Sequence, residues 1–145
     1  MRIIRYQAAS GEIRQGCVSD GRIYRLEGGI EDFRAGDFAD NLCTVHLLAP
    51  CVPRKVIAVA RNFLGKDEFA SPDYEPIFFV KTNNTVCGSN ENILNPFPTL
   101  PMWGEPELAV VIGRTLDNAK TSEVQRSILG FTVANEVTVE NIEGR

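Results

Sequence analysis

Histidine is almost missing from this chain: His46 is the only one in 145 residues. The cysteines number four, Cys17, Cys43, Cys51 and Cys87, and no two stand as a CxxC pair. With one imidazole and no thiol pair at zinc spacing, a structural zinc site is excluded. The cysteines read instead as reduced, mostly buried thiols of a cytoplasmic protein. An excess of basic charge is also missing. The formal net charge is −4, which leaves no electrostatic footprint for nucleic acid. No apolar run approaches the roughly 20 residues of a membrane span. The opening MRIIRYQAAS lacks the apolar core of a secretory signal. What is present is ordinary for a globular protein, with 43% apolar and 23% charged residues. The length suits one domain, or a small one plus part of another.

Turn residues divide the chain. MRIIRY reads as a first strand. QGCVSDGRIYRL reads as two strands about Asp20-Gly21, a strong hairpin signal. GGIEDFRAGDFADNL reads as a loop with a short helix, and LLAPCVPRK, with Pro50 and Pro53, as a linker, with His46 just before it as a linker residue that has no catalytic role. KVIAVARNF and IFFVK are continuous apolar runs that suit strands buried on both faces. Between them GKDEFASPDYEP is a polar loop. TNNTVCGSNENILNPFPTLP is a long turn-rich excursion, and such ordered excursions are often functional. A strand over 105–112 follows. The spacing then predicts a helix near 122–129, with Ser122 and Gln125 as a capping box and Gly130 as its stop. FTVANEVTV is a last strand. The fold class is mainly β with few short helices (α+β), divided into a small β-rich unit over 1–50 and a second domain over 51–145.

WGEPELAVVIG sets Glu105 and Glu107 two residues apart on a strand, where side chains share a face. Ala109 and Val111 lie on that face, and Leu108, Val110 and Ile112 on the other suit a core. In the last strand Thr132, Ala134, Glu136 and Thr138 share a face. If the two strands are neighbours, three carboxylates meet. They cannot all stay ionised at close range in a low-dielectric site without a counter-charge. A hard divalent cation supplies one, accepting carboxylate oxygens and keeping waters for substrate to displace. The alternative is a solvated strand face, or pairing with lysine or arginine, because E-x-E on a strand is common. Trp103 and Met102 read as packing residues.

The block GEPELAVVIGRTLDNAKTSEVQRSILGFTVANEVT resembles the metal-binding core of the fumarylacetoacetate hydrolase family. That core has an E-x-E-L-A-x-V-I-G strand, a short helix and a G-[YF]-T-[VL]-A-N-D-V segment. VPRKVIAVARNF and PIFFVKTNNTVCGSNENILNP resemble two further family segments, in the same order. The resemblance implies a catalytic domain of packed, rolled β-sheets and a divalent cation (Mg²⁺, or Mn²⁺ or Ca²⁺) on Glu105, Glu107 and Glu136. It implies a small 2-oxo acid or β-diketo acid as substrate, and a homodimer. Members hydrolyse carbon–carbon bonds of acylpyruvates, decarboxylate oxo acids or isomerise unsaturated hydroxy acids. Their shared step is an enolate stabilised by the metal as Lewis acid.

Several positions depart from the family pattern. Position 136 is glutamate where aspartate is usual, with one more methylene of reach. Where hydrolytic members have a histidine after the N-[YF] pair, this chain has Lys66, and Glu68 lies one residue from the usual acid. Either both belong to a solvated loop, or the loop closes and Glu68 acts as base or water-orienting acid. Lys81 either snorkels from a strand end or holds the substrate carboxylate. Glu140 and Asn141 replace the arginine and aspartate that often follow the third ligand. The family's later strands have no counterpart before Arg145, so the expected β-sandwich roll is truncated at its C-terminus. Two readings follow: a metal-dependent oxo-acid enzyme, or a catalytically silent relative with a structural or binding role.

Overall fold

A computed structural model describes residues 1–63 and 75–140 of the chain. The expected loop carrying Lys66 and Glu68 lies outside the described residues, as does Asn141. Nine strands and one α-helix are described: β1 (Arg2–Gln7), β2 (Ile13–Ser19), β3 (Arg22–Glu27), β4 (Arg34–Asn41), β5 (His46–Leu47), β6 (Val56–Ala60), β7 (Ile77–Lys81), β8 (Met102–Ile112), α1 (Thr121–Ser127) and β9 (Ile128–Val139). Two single-turn 3-10 segments lie at Leu42–Thr44 and Asn83–Thr85. The fold is mainly β, as the turn spacing predicts. Among the described residues no helix is long and apolar enough to cross a membrane.

The chain divides into two compact units. The first joins Met1–Glu27 with Arg34–Glu91, and the second joins Gly28–Phe33 with Asn92–Arg145. This grouping cuts across residue 50, because β6 and β7 fall with the first unit.

In the first unit five antiparallel strands run in the order β4-β3-β2-β1-β5. Asp20 and Gly21 both take positive φ, at 49° and 74°. That is the conformation a two-residue hairpin needs to match strand twist, and it sets Ser19 opposite Arg22. Tyr6 and Ile23 are fully buried and form the core with Ala8. Ile4, Val18, Leu42, Val45 and Leu47 pack around them. Gly16 is required by close approach: a Cβ there would lie 2.6 Å from Ile23 Cγ2 and 2.8 Å from the Tyr24 carbonyl. The Tyr6 hydroxyl donates to Asp40 at 2.9 Å, and Arg14 reaches the same carboxylate oxygen at 3.4 Å. Burial first, and then the Asp40 carboxylate, push the Tyr6 phenol above its ordinary pKa.

Four local expectations are corrected. The loop and short helix expected over 28–42 include a strand, β4. Its pairing with β3 shifts register between Ile23/Tyr24 and Tyr24/Leu26. Such irregularities break the period-two alternation by which a strand is read, while Tyr24 and Phe38 still meet edge to face. The expected helix is present at Thr121–Ser127, but its cap and its stop differ. Its N-terminus is closed by the Lys120 backbone N–H donating to the Glu123 carboxylate at 2.7 Å, in place of a Ser122–Gln125 pair. Gly130 is no stop, because β9 begins at Ile128, directly after α1. The cysteines are free, yet only Cys17 is buried; Cys43 and Cys87 are exposed.

Burial differs from expectation as well. β6 and β7 form a two-stranded antiparallel sheet, expected to be covered on both faces. Instead Ile57, Phe78 and Val80 are 61%, 62% and 71% exposed. The face of β8 expected to suit a core is likewise open, with Leu108 68% exposed, and so are Phe131 and Val133 across from it on β9, at 64% and 82%. Among the described residues no third strand pairs with either hairpin.

Candidate metal centre

β8 and β9 are the longest strands, and they pair antiparallel from Met102↔Val139 to Ile112↔Ile128. Their length follows from Leu108-Ala-Val-Val-Ile112 facing Phe131 and Val133, since β-branched and aromatic residues favour a pleated surface. The register sets Glu105 directly opposite Glu136, and Glu107 opposite Ala134. Alternation then puts Trp103, Glu105, Glu107, Ala109, Thr132, Ala134, Glu136 and Thr138 on one face. Ala109 and Ala134 keep that face low beside the carboxylates.

One carboxylate oxygen from each of Glu105, Glu107 and Glu136 lies within 4.8 Å of the others. All three residues are partly buried. Like charges directly opposite on a ladder are destabilising, so three together call for a counter-charge. An all-oxygen, anionic donor set of this size fits a hard divalent cation. The three could supply part of its shell, leaving other positions for water or ligand.

Glu105 is held from two sides. The Trp103 indole N–H donates to its Oε1 at 3.0 Å, and the Thr138 hydroxyl reaches the same oxygen at 3.3 Å. Trp103 was expected only to pack, yet its side chain is 46% exposed and hydrogen-bonds the cluster. The signal was available in the two-residue spacing from Glu105, but burial was the more common fate for a tryptophan. Thr138 was placed on the right face without a role.

Lys81 ends β7, in the first unit, opposite Val56. Its ammonium lies 5.7 Å from the centre of the Phe79 ring, a cation–π contact along its own strand. His46, expected in the linker, lies on β5, with Nε2 3.9 Å from Glu91 Oε1. Lys66 and Glu68 lie outside the described residues.

The model of the fumarylacetoacetate (FAA) hydrolase C-terminal domain matches residues 55–144, more than half of the chain. The chain belongs to the fumarylacetoacetate hydrolase family. Proteins similar to it include Protein Rv2993c of Mycobacterium tuberculosis, 35% identical over 104 residues, which are 69% of this chain and 38% of that protein. The human protein named oxaloacetate tautomerase FAHD2A, mitochondrial, is 32% identical over 104 residues, 70% of this chain and 33% of its own length. A solved structure titled 5-carboxymethyl-2-hydroxymuconate delta-isomerase, from Mycobacterium smegmatis, superposes with a TM-score of 0.79 at 30% identity. It covers 94% of this chain, which spans 55% of that one. The chain thus spans between a third and about half of these family members. β8, α1 and β9, with all three glutamates, fall inside the family match.

Proposed function

We propose that this chain carries the metal site of a family enzyme that isomerises or tautomerises a small 2-oxo or β-diketo acid. The observation that carries the reading is the meeting of Glu105, Glu107 and Glu136 within 4.8 Å on the small-residue face of β8 and β9. Mg²⁺ suits the site best, with Mn²⁺ and Ca²⁺ as substitutes, because all donors are carboxylate oxygens. When bound, the cation supplies Lewis-acid polarisation of a 2-oxo group. The names of the human relative and of the Mycobacterium smegmatis structure support proton-transfer chemistry over hydrolysis. So does the lysine at position 66, where hydrolytic members carry the histidine that activates water. Hydrolysis of acylpyruvates and decarboxylation remain neighbouring reactions of the same site.

The chain's own residues divide the remaining work. The glutamates anchor the cation. Lys81 pairs with the substrate carboxylate, and Glu68 moves the proton, with Lys66 beside it in sequence. The support for these three roles is the motif match around them. The enzyme acts in the cytoplasm, as a homodimer, on a free small acid. A second reading, a silent relative that keeps the fold without the chemistry, is favoured by the same lysine at position 66.

Oxaloacetate keto–enol exchange, followed by ultraviolet absorbance with Mg²⁺ or chelator, separates the readings. The enzyme reading expects Mg²⁺-dependent turnover that Glu107→Gln abolishes. Metal binding with no turnover across a panel of oxo acids would favour the silent relative.

A further inference from the structure

We infer that Trp103 and Thr138 are positioning residues for the metal site, holding Glu105 in place by its Oε1 atom. The inference rests on the metal reading above and assigns two residues that lie outside the ligand set. Trp103 sits two residues before Glu105 on β8, and Thr138 two residues after Glu136 on β9. The register places Trp103 and Thr138 opposite each other, one step along the same face from the Glu105↔Glu136 pair. Both donors converge on one oxygen, at 3.0 Å and 3.3 Å. A glutamate side chain has three rotatable bonds, and two donors at one oxygen remove most of that freedom. They also leave Oε2 as the oxygen that neither of them occupies. Groups that hydrogen-bond a ligating carboxylate typically change metal affinity by about 10–100-fold when removed.

Trp103 is the only tryptophan in the chain, so indole emission reports this position alone. Mn²⁺ is paramagnetic and quenches a nearby indole. Titrating the full chain with Mn²⁺ should therefore give saturable quenching that chelator reverses and Glu107→Gln weakens strongly. Calorimetric Mn²⁺ affinity should fall about tenfold in Trp103→Phe and about threefold in Thr138→Val, whose lost bond is the longer one. Thr138→Ser keeps the hydroxyl and should bind as the parent does. If Trp103→Phe misfolds by circular dichroism, the Val–Ser comparison at 138 decides alone. A parent that binds Mn²⁺ with folded variants at 103 and 138 within twofold of it would overturn the positioning role and leave the metal site standing. A parent that binds no Mn²⁺, or that Glu107→Gln does not weaken, would overturn the metal reading and this inference with it.

Discussion

Replacing Glu107 by glutamine should make the metal-free protein more stable and the metal-loaded protein less stable than the parent. The charge on Glu107 faces those of Glu105 and Glu136 within 4.8 Å. Two unit charges at that separation repel by about 0.9 kcal/mol in a water-like dielectric, which suits partly exposed groups. Physiological salt, with a screening length of about 8 Å, reduces this to roughly 0.5 kcal/mol. Glu107 takes part in two such pairs, so the substitution relieves roughly 1 kcal/mol in chelator, equivalent to a rise of about 3–5 °C in Tm for a chain of this size. Cation binding reverses the order. At a free concentration a hundred times Kd the parent gains about 2.7 kcal/mol. If the variant binds a hundredfold more weakly, it gains only about 0.4 kcal/mol at that same concentration. The assay is thermal unfolding of both proteins in chelator and across a Mg²⁺ series. The two stabilities should cross. A variant less stable than the parent in chelator, or equal responses to Mg²⁺, would show that the three carboxylates do not form a charged cation site.

Tyr6→Phe removes the hydrogen bond to Asp40 and should cost about 1–3 kcal/mol in denaturant unfolding; an unchanged midpoint would refute this. The Tyr6 phenol has its folded pKa raised above 10.0 by burial and by Asp40. Its contribution is therefore intact below pH 10 and lost as pH rises through the raised folded value. The parent should lose stability in that alkaline window, and Tyr6→Phe should flatten the loss; parallel profiles would contradict the assignment. Gly16→Ala should destabilise the first unit by about 1–3 kcal/mol, since its Cβ would meet a backbone carbonyl that cannot easily yield; denaturation with no shift would count against the packing described. The open apolar face of Leu108, Phe131 and Val133 should drive the chain into larger species. Sedimentation should show association that Phe131→Ser with Val133→Thr reduces, whereas a strict monomer at all concentrations would contradict it.

Much of the candidate metal centre was legible because strand geometry is simple. A two-residue spacing fixes a shared face, so Glu105 with Glu107, and Glu136 with Thr138, could be grouped before any pairing was known. The register that sets Glu105 opposite Glu136 could not be read this way, since it depends on how the chain turns through 113–127. The Asp20-Gly21 hairpin was legible because only certain residues tolerate positive φ at both turn positions. β4 was hidden because register shifts erased its alternation, and Gly36, Asp37 and Asp40 are poor strand formers. Helix α1 was found but its cap was misread, because the Glu123 side chain closes onto the Lys120 backbone N–H. Burial was the least legible property. An apolar residue on a strand says that a cover is favourable, not which segment supplies it, so Phe78, Val80 and Leu108 were assigned to cores that the described residues do not build. Trp103 shows the reverse error: size suggested packing, while the indole N–H serves the cluster.

The proposed site requires that Glu105, Glu107 and Glu136 hold one divalent cation together. Crystals grown with Mn²⁺ and measured at the manganese absorption edge test it most directly. One anomalous peak is expected within bonding distance, roughly 2.0–2.3 Å, of a carboxylate oxygen from each of the three glutamates. A map with manganese bound elsewhere and none among these three carboxylates would contradict it.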